Sequence, residues 1–357
     1  MEDWPQVSCF TYRLRGFSNQ TADHYMRAYQ LSLWKRVSGA YFANVDDFCI
    51  GSIKRHKKAL NLIEEFSGAY ANSKHIAIMH YIENSHDGNE RASHLDLDLY
   101  EFLKNNFQNG NFKNTAIFLF SDHGSRFSEE RLSPQGDLEE RMPFFSLYLP
   151  DSYKKANPSK YNNLIKNSKQ ITTAFDIHAT IRDLTCLGKA PDVPFRSVMS
   201  VLEDIPMNRS CEQAGVSLHY CVCEQDWKEI DITNKNENDQ SSMIVHKATL
   251  FTINFLNKLL FGVREFCYLL RLKEVTSVKT VAINGVTYFK INMETSPNNA
   301  SYEALLIYNP SQEAFSIKSP VSISRTNPYG NQPNCLFRLP KNKILTVDLR
   351  KFCFCKV

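Results

Sequence analysis

The stretch Thr115–Gly124, Thr-Ala-Ile-Phe-Leu-Phe-Ser-Asp-His-Gly, constrains the fold more than any other part of the chain. Ala116 to Phe120 is a short uninterrupted apolar run, the pattern of a strand buried on both faces of a parallel sheet. It stops at Ser121-Asp122-His123-Gly124. In open α/β sheets ligands bind beyond the carboxyl ends of the strands, so a carboxylate and an imidazole arrive together where such sheets do chemistry. One oxygen and one nitrogen donor in adjacent positions suit zinc or a similar divalent ion, and Gly124 lets the backbone turn sharply after them. The plainer alternative is that Asp122 caps the next segment and His123 sits passively on a loop. Context favours the metal reading: a polar segment with Gly136, Glu139, Glu140 and Arg141 follows, then a second apolar strand, Phe144 to Leu149, closed by Pro150.

The neighbouring segments alternate in type. A helix is expected around Asp23–Ser38, and an amphipathic one from His56 to Tyr70, with Leu60, Leu62, Ile63 and Phe66 on its apolar side. His75 to Ile82 reads as a strand, Glu83 to Gly88 as a loop, and His94 to Phe107 as a helix. Such alternation argues for a parallel sheet covered by helices. Asp96 and Asp98 are two residues apart, point in different directions on a helix, and read as a solvated face rather than a metal site. The densest basic run, Lys54-Arg55-His56-Lys57-Lys58, reads as the solvated start of a helix. Further on, Thr172 to Ile181 leads into a helix with Ile177, Ile181 and Leu184 on one stripe.

A domain boundary is expected near Ile205-Pro206-Met207-Asn208, dividing residues 1–205 from 206–357. Beyond it cysteines concentrate, and Val278–Ile291 and Tyr302–Ile317 become rich in alternating β-branched and aromatic residues. Asn284-Gly285 between two such runs is a strong hairpin signal. This part is expected to be a helix, Val245 to Phe261, on an antiparallel sheet held by disulfides.

Composition narrows the class further. With 43% hydrophobic and 22% charged residues in 357, the chain is an ordinary globular protein, and a net charge of +4 is too mild to argue for nucleic acid. The ten cysteines form an even count. Cys-x-Cys is tighter than the usual zinc spacing and has no matching histidine pair, so disulfides fit better. Three N-glycosylation patterns, at Asn19, Asn208 and Asn299, agree with a secretory route. Met1-Glu2-Asp3-Trp4-Pro5 lacks the features of a signal peptide, and the most apolar stretch, Thr249–Leu270, is interrupted by Lys258, Arg264 and Glu265. A secretory composition without a leader leads to the expectation that this chain is the C-terminal portion of a longer extracellular protein.

Thr115–Gly124, with Leu138-Glu139-Glu140-Arg141-Met142-Pro143-Phe144 and Tyr148-Leu149-Pro150, resembles the metal-binding core of the alkaline-phosphatase and sulfatase superfamily. More closely, the chain resembles the animal family known as domain of unknown function 229, with further matches at Ser85-His86-Asp87, Phe175–Thr180, Cys221-Val222-Cys223 and Cys353-Phe354-Cys355. The resemblance runs from about Gly16 to the C-terminus. It implies an incomplete α/β/α sandwich of the alkaline-phosphatase-like type, followed by a smaller cysteine-rich α+β domain. It also implies a secreted location and a pair of metals, usually zinc, beside a nucleophilic hydroxyl or modified cysteine. Asp122 and His123 are expected to supply half of that site.

At the equivalent of His86, related sulfatase-like enzymes hold the substrate's anionic group; a locally bonded loop histidine is the alternative. His178 resembles a late metal-ligating histidine of other branches, with helix packing as the competing role. Arg141 suits bidentate contact with a phosphate or sulfate, or an ion pair that pins the loop between the two strands. The nucleophile and first metal-ligand aspartate belong upstream in the family, and neither is found here; Asp46-Asp47 reads as a polar turn. The expected activity of full-length relatives is metal-dependent hydrolysis of phosphate or sulfate esters, with this chain inactive by itself. The alternatives are a pseudoenzyme glycoprotein that binds an anionic glycan or a partner protein, and a disulfide-rich ectodomain without an active site.

Overall fold

The computed structural model describes residues 19–37, 49–86, 90–126, 128–185, 198–223, 225–233, 239–338 and 348–356. Two compact units emerge, Met1–Ser168 and Lys169–Val357. The expected polar turn at Asp46-Asp47, and Asp87 beside His86, lie outside the described residues.

In the first unit, helix α1 (Arg27–Val37) is followed by a minimal hairpin, β1 (Cys49–Ile50) and β2 (Ile53–Lys54), turned by Gly51 at φ 61°. Helices α2 (Arg55–Ala69) and α3 (Ser93–Gln108) match the two amphipathic patterns closely. Asp96, Lys54 and Lys57 face water as expected, but Asp98, Arg55 and His56 do not. Asp98 is buried on α3 and accepts from His56 Nε2 at 2.7 Å and Lys54 Nζ at 2.8 Å, with Lys57 Nζ at 3.4 Å. Arg55 is buried too and pairs with Glu83. The basic run and the helix carboxylate are therefore each other's partners. Neither segment alone reveals that, because a charge pattern states solubility only until a counter-charge arrives from elsewhere in the chain.

Strand β3 (Ile117–Phe120) forms where the apolar run predicts it, but its neighbour β4 (Phe145–Tyr148) runs antiparallel, in the register Ile117↔Tyr148 to Phe120↔Phe145. The strand is not buried on both faces either: none of Ile117–Phe120 is fully buried and Phe120 is 55% exposed, so the apolar run fixed neither the covering of the strand nor the direction of its neighbour. The connection holds a 3-10 turn (Glu129–Leu132) and short helix α4 (Pro134–Arg141) in place of a long crossover helix. Residues 75–82 form no named strand; Ile76 and Ile78 are exposed, and only His80 makes a bridge. Alternating apolar residues make a strand only when a partner completes the ladder. Helices α5 (Asp151–Ala156) and α6 (Pro158–Asn167) complete this unit.

The second unit opens with α7 (Ala174–Leu184) and is built around a six-stranded antiparallel sheet. Its strands are β5 (Lys228–Glu229), β6 (Arg271–Ile283), β7 (Val286–Ser296), β8 (Ala300–Asn309), β9 (Ala314–Ser316) and β10 (Ile323–Arg325). Their order is β10-β8-β7-β6-β5, with β9 also on β8. The predicted hairpin joins β6 to β7: Ile283 pairs with Val286, and Asn284 and Gly285 both take positive φ, 50° and 78°, as a type I′ turn requires.

On β7, Phe289, Ile291, Met293 and Thr295 are buried, a period of two that turns one face inward. Helix α8 (Gln240–Leu259) lays Ala248, Thr249, Thr252, Ile253 and Leu256 on that core. Asn257 clamps helix to strand, donating to Leu270 O and accepting from Leu270 N, both at 2.9 Å. Disulfides Cys267–Cys353 and Cys335–Cys355 close one end, and Cys211–Cys221 sits in the loop before the sheet. The chain is thus a mixture of helices and strands with a disulfide-rich C-terminal region. No described helix is long and apolar enough to cross a membrane.

Candidate functional site

Asp122 and His123 leave the end of β3 together, as the sequence places them. The Ser121 hydroxyl accepts from Phe144 N at 2.9 Å, and Ser121 N donates to Phe144 O at 2.9 Å, so the residue before the pair is fixed to the start of β4. On the other side Gly124 N donates to Glu140 O at 3.0 Å. Glycine is needed here for a reason other than a sharp turn. A Cβ on Gly124 would stand 2.2 Å from Glu139 O and 2.9 Å from Glu140 Cα, so the backbone must lie directly against α4.

Helix α4 is itself held rigidly. Ser133 caps it by accepting from Gly136 N at 3.0 Å, with Pro134 in the first turn. Buried Arg131 reaches Asp137 at 2.8 Å and also bonds Glu140, while Arg141 bonds Asp137 at 3.1 Å. Arg141 therefore takes part in the ion-pair network of the loop between the strands, with its side chain only 5% exposed.

Held between these anchors, Asp122 is the open member and His123 the partly covered one, with side chains 71% and 38% exposed. Asp122 Oδ1 accepts from His123 N at 3.0 Å. His123 Nδ1 lies 2.6 Å from Gly124 O; that contact assigns the proton to Nδ1 and turns the Nε2 lone pair outward, the orientation metal-binding histidines adopt. Nε2 stands 3.5 Å from Asp122 Oδ2. Two ligands about 2.1 Å from a tetrahedral zinc ion lie about 3.4 Å apart, so these donors fit two corners of one coordination sphere.

They do not complete it. Among the described residues, groups of three or more His, Cys, Asp or Glu side chains close enough to share an ion occur only at Cys211-Cys221-Cys223 and Cys267-Cys335-Cys353. Of those six cysteines all but Cys223 are in disulfides.

The other expected site residues are dispersed. His86 is exposed at the end of a turn, where its amide donates to Ile82 O at 2.9 Å. Beside it, buried Asn84 has neither side-chain amide atom hydrogen-bonded. His178 belongs to the second unit and lies on the exposed side of α7. The buried positions of that helix are Asp176 and Thr180.

Asp176 is the residue that sequence reading missed. It is fully buried, forms a reciprocal capping box with Thr173, accepts from Met199 N at 2.9 Å, and receives both arms of Arg209 at 2.8 and 3.2 Å. The Thr173-x-x-Asp176 spacing was the available signal; Arg209, far along the chain, gave none.

A second missed group is His219, whose Nε2 lies 2.7 Å from Ser324 Oγ and whose Nδ1 lies 3.8 Å from Glu303 Oε1. The order serine–histidine–carboxylate matches a hydrolytic triad. His219 has no exposed surface, however, so the trio ties its loop to β8 and β10 rather than meeting a substrate.

A mixed α/β chain with an Asp-His pair at a strand end and a cysteine-rich antiparallel sheet is the class that these features define. It belongs to the family described as protein of unknown function (DUF229), whose model matches residues 1–276. The match ends within β6, so Cys353 and Cys355, expected to fall inside the resemblance, lie beyond it. No curated protein and no solved structure matches the chain.

Proposed function

We propose that this chain carries half of the metal centre of a secreted hydrolase of phosphate or sulfate esters, of the alkaline-phosphatase-like type, and does not turn over substrate by itself. The observation that carries the reading is the 3.5 Å separation of His123 Nε2 and Asp122 Oδ2 at a strand end, with Nδ1 committed to the Gly124 carbonyl. A bound zinc ion would lower the pKa of a nucleophilic hydroxyl and stabilise charge on the transferring phosphoryl or sulfuryl group. The chain's own residues do the positioning. Asp122 and His123 present two donors, Ser121 and Gly124 fix their backbone, and the Arg131-Asp137-Arg141-Glu140 network keeps α4 in place behind them. His86, exposed beyond residues 75–82, is assigned to the anionic group of an ester or glycan. Arg141 is assigned a structural role, and His178, exposed on α7, is assigned neither metal ligation nor helix packing. An extracellular location is supported by three disulfides and by the exposure of Asn19, Asn208 and Asn299, the three glycosylation acceptors.

The second reading is a non-catalytic glycoprotein of the same fold that binds an anionic glycan or a partner protein. It is favoured by the absence of a third donor beside Asp122 and His123 among the described residues.

Zinc stoichiometry and affinity, by elemental analysis and calorimetry on the disulfide-intact protein, separate the two when measured beside an Asp122→Ala, His123→Ala variant. Binding that disappears in the variant supports the half-site. No binding, or binding indifferent to the substitutions, transfers the assignment to the glycoprotein. Metal-dependent hydrolysis of an aryl phosphate or aryl sulfate by the purified chain would refute its predicted inactivity.

A further inference from the structure

The loop before the sheet holds three sulfur atoms in one place. Cys211 and Cys221 form a disulfide, and the Cys223 thiol, exposed and unpaired, stands 3.6 Å from Cys211 Sγ. All three sulfurs lie within 4.8 Å of one another. A thiol in contact with a disulfide sulfur is the arrangement from which thiol–disulfide exchange proceeds, and its rate depends on access as well as on thiolate chemistry. Here the attacking group is exposed and the disulfide half-buried.

We propose that Cys211, Cys221 and Cys223 form a thiol–disulfide exchange site in which the bond migrates between Cys211–Cys221 and Cys211–Cys223. The step is redox-neutral. The Cys223 thiolate attacks Cys211 Sγ, the Cys211–Cys223 bond forms as the Cys211–Cys221 bond breaks, and Cys221 leaves as a thiolate that takes up the proton. Cys211 is the shared sulfur because a bond between Cys221 and Cys223 would close a ring across a single intervening residue.

Chain entropy does not choose between the two states. The closed loops span separations of 10 and 12 residues, and the three-halves power law for loop closure turns that difference into a factor of only about 1.3 in population. Every state leaves one thiol of the Cys221-Val222-Cys223 segment unpaired. The site therefore always presents a thiol able to attack an external disulfide, forming a mixed disulfide as the external partner's other sulfur leaves as a thiolate.

The test is disulfide mapping of the full chain, purified oxidised and without reductant. Free thiols are blocked in acid, where exchange is frozen, before peptides are identified by mass spectrometry. The expected result is both Cys211–Cys221 and Cys211–Cys223 peptides, within a few-fold of each other, each paired with a blocked thiol at the remaining position. Incubation at mildly alkaline pH before the quench drives any single starting state toward the same mixture. Cys221→Ser is expected to yield Cys211–Cys223 in full, and Cys223→Ser to freeze Cys211–Cys221. One connectivity that survives alkaline incubation of the unaltered chain overturns the proposal, and so does a bond from Cys223 to any other cysteine, Cys186 included. Because the decisive reading is made on the unaltered chain, a variant that fails to fold does not rescue it.

Discussion

Replacing Gly124 with alanine tests whether the Asp-His pair is held by the backbone contact behind it. The added Cβ would stand 2.2 Å from Glu139 O, 2.7 Å from Glu139 C and 2.9 Å from Glu140 Cα. Even the close Cα–H···O contacts of β-sheets keep about 3.3 Å between carbon and oxygen, so the methyl group is about 1 Å too near. All three atoms are backbone, and no side-chain rotation relieves the overlap. The strand end must move away from α4, with loss of the Gly124 N–H···O Glu140 bond. Overpacking of this kind costs roughly 1–3 kcal/mol, and the hydrogen bond adds about 0.5–1.5 kcal/mol. Together they predict a loss of about 2–4 kcal/mol.

The natural control is Gly51→Ala in the same unit. Nothing lies within 4 Å of that position, but its φ is 61°, which costs an L-residue roughly 1–2 kcal/mol. Urea unfolding of both variants should rank Gly124→Ala as the more damaging, although its backbone angle is ordinary. The same displacement moves the carbonyl that orients His123. Zinc affinity should therefore fall by about 10–100-fold, as when the hydrogen-bond partner that orients a metal-binding histidine is lost. A Gly124→Ala protein that is milder than Gly51→Ala would refute the close-approach argument.

Removing Arg209 as alanine leaves buried Asp176 uncompensated and should cost about 3–5 kcal/mol in thermal or urea unfolding; Arg209→Lys keeps the charge but not the fork, and should recover only part of it. Burial works to raise the Asp98 carboxyl, but hydrogen bonds from Lys54, His56 and Lys57 outweigh it and hold the group well below the usual carboxylate range. The stability this contributes is present above the unfolded carboxylate pKa of about 3.9 and is lost as pH falls toward the folded value. Unfolding curves on acidification should thus be shallower for Asp98→Asn than for the unaltered protein; an unchanged slope would refute this. Cys267–Cys353 closes a separation of 86 residues and Cys335–Cys355 one of 20. The chain-entropy estimate is about 4.6 against about 3.3 kcal/mol, so paired serine replacements should show the longer bridge to matter more by about 1 kcal/mol.

Local signals in the sequence marked elements well and partnerships poorly. Asn284-Gly285 specified its hairpin because the turn's positive φ angles are a demand on those two residues alone. The apolar stripes of α2 and α3 placed those helices to within a residue at each end for the same local reason, whereas α8 begins five residues before the expected Val245. What could not be read were features decided by distant chain. These include the antiparallel neighbour of β3, the unladdered run at Ile76 and Ile78, and the burial of Asp98 against the basic start of α2. On α7 the apolar stripe was legible, but the inward polar positions, Asp176 and Thr180, were not, because Arg209 and the backbone of Met199 and Val201 draw them inside. At the candidate site the donor types and their adjacency were legible. The reason for Gly124 was not, since it depends on where α4 lies.

The cysteine clasp has a consequence for the order in which the second unit can be finished. The segment around Cys355 threads between two others: Tyr268 N donates to Phe354 O at 2.8 Å, Lys356 N to Phe266 O at 2.7 Å, and Cys355 N to Gln332 O at 2.9 Å. All five main sheet strands and β9 precede it in the chain. During synthesis the sheet can therefore pair its strands one after another as they emerge. Its last seam stays open until Cys353 and Cys355 arrive with an oxidant to seal it. Within this unit the clasp is thus the last contact to form, and its two disulfides require an oxidant that the sheet's own strand pairing does not.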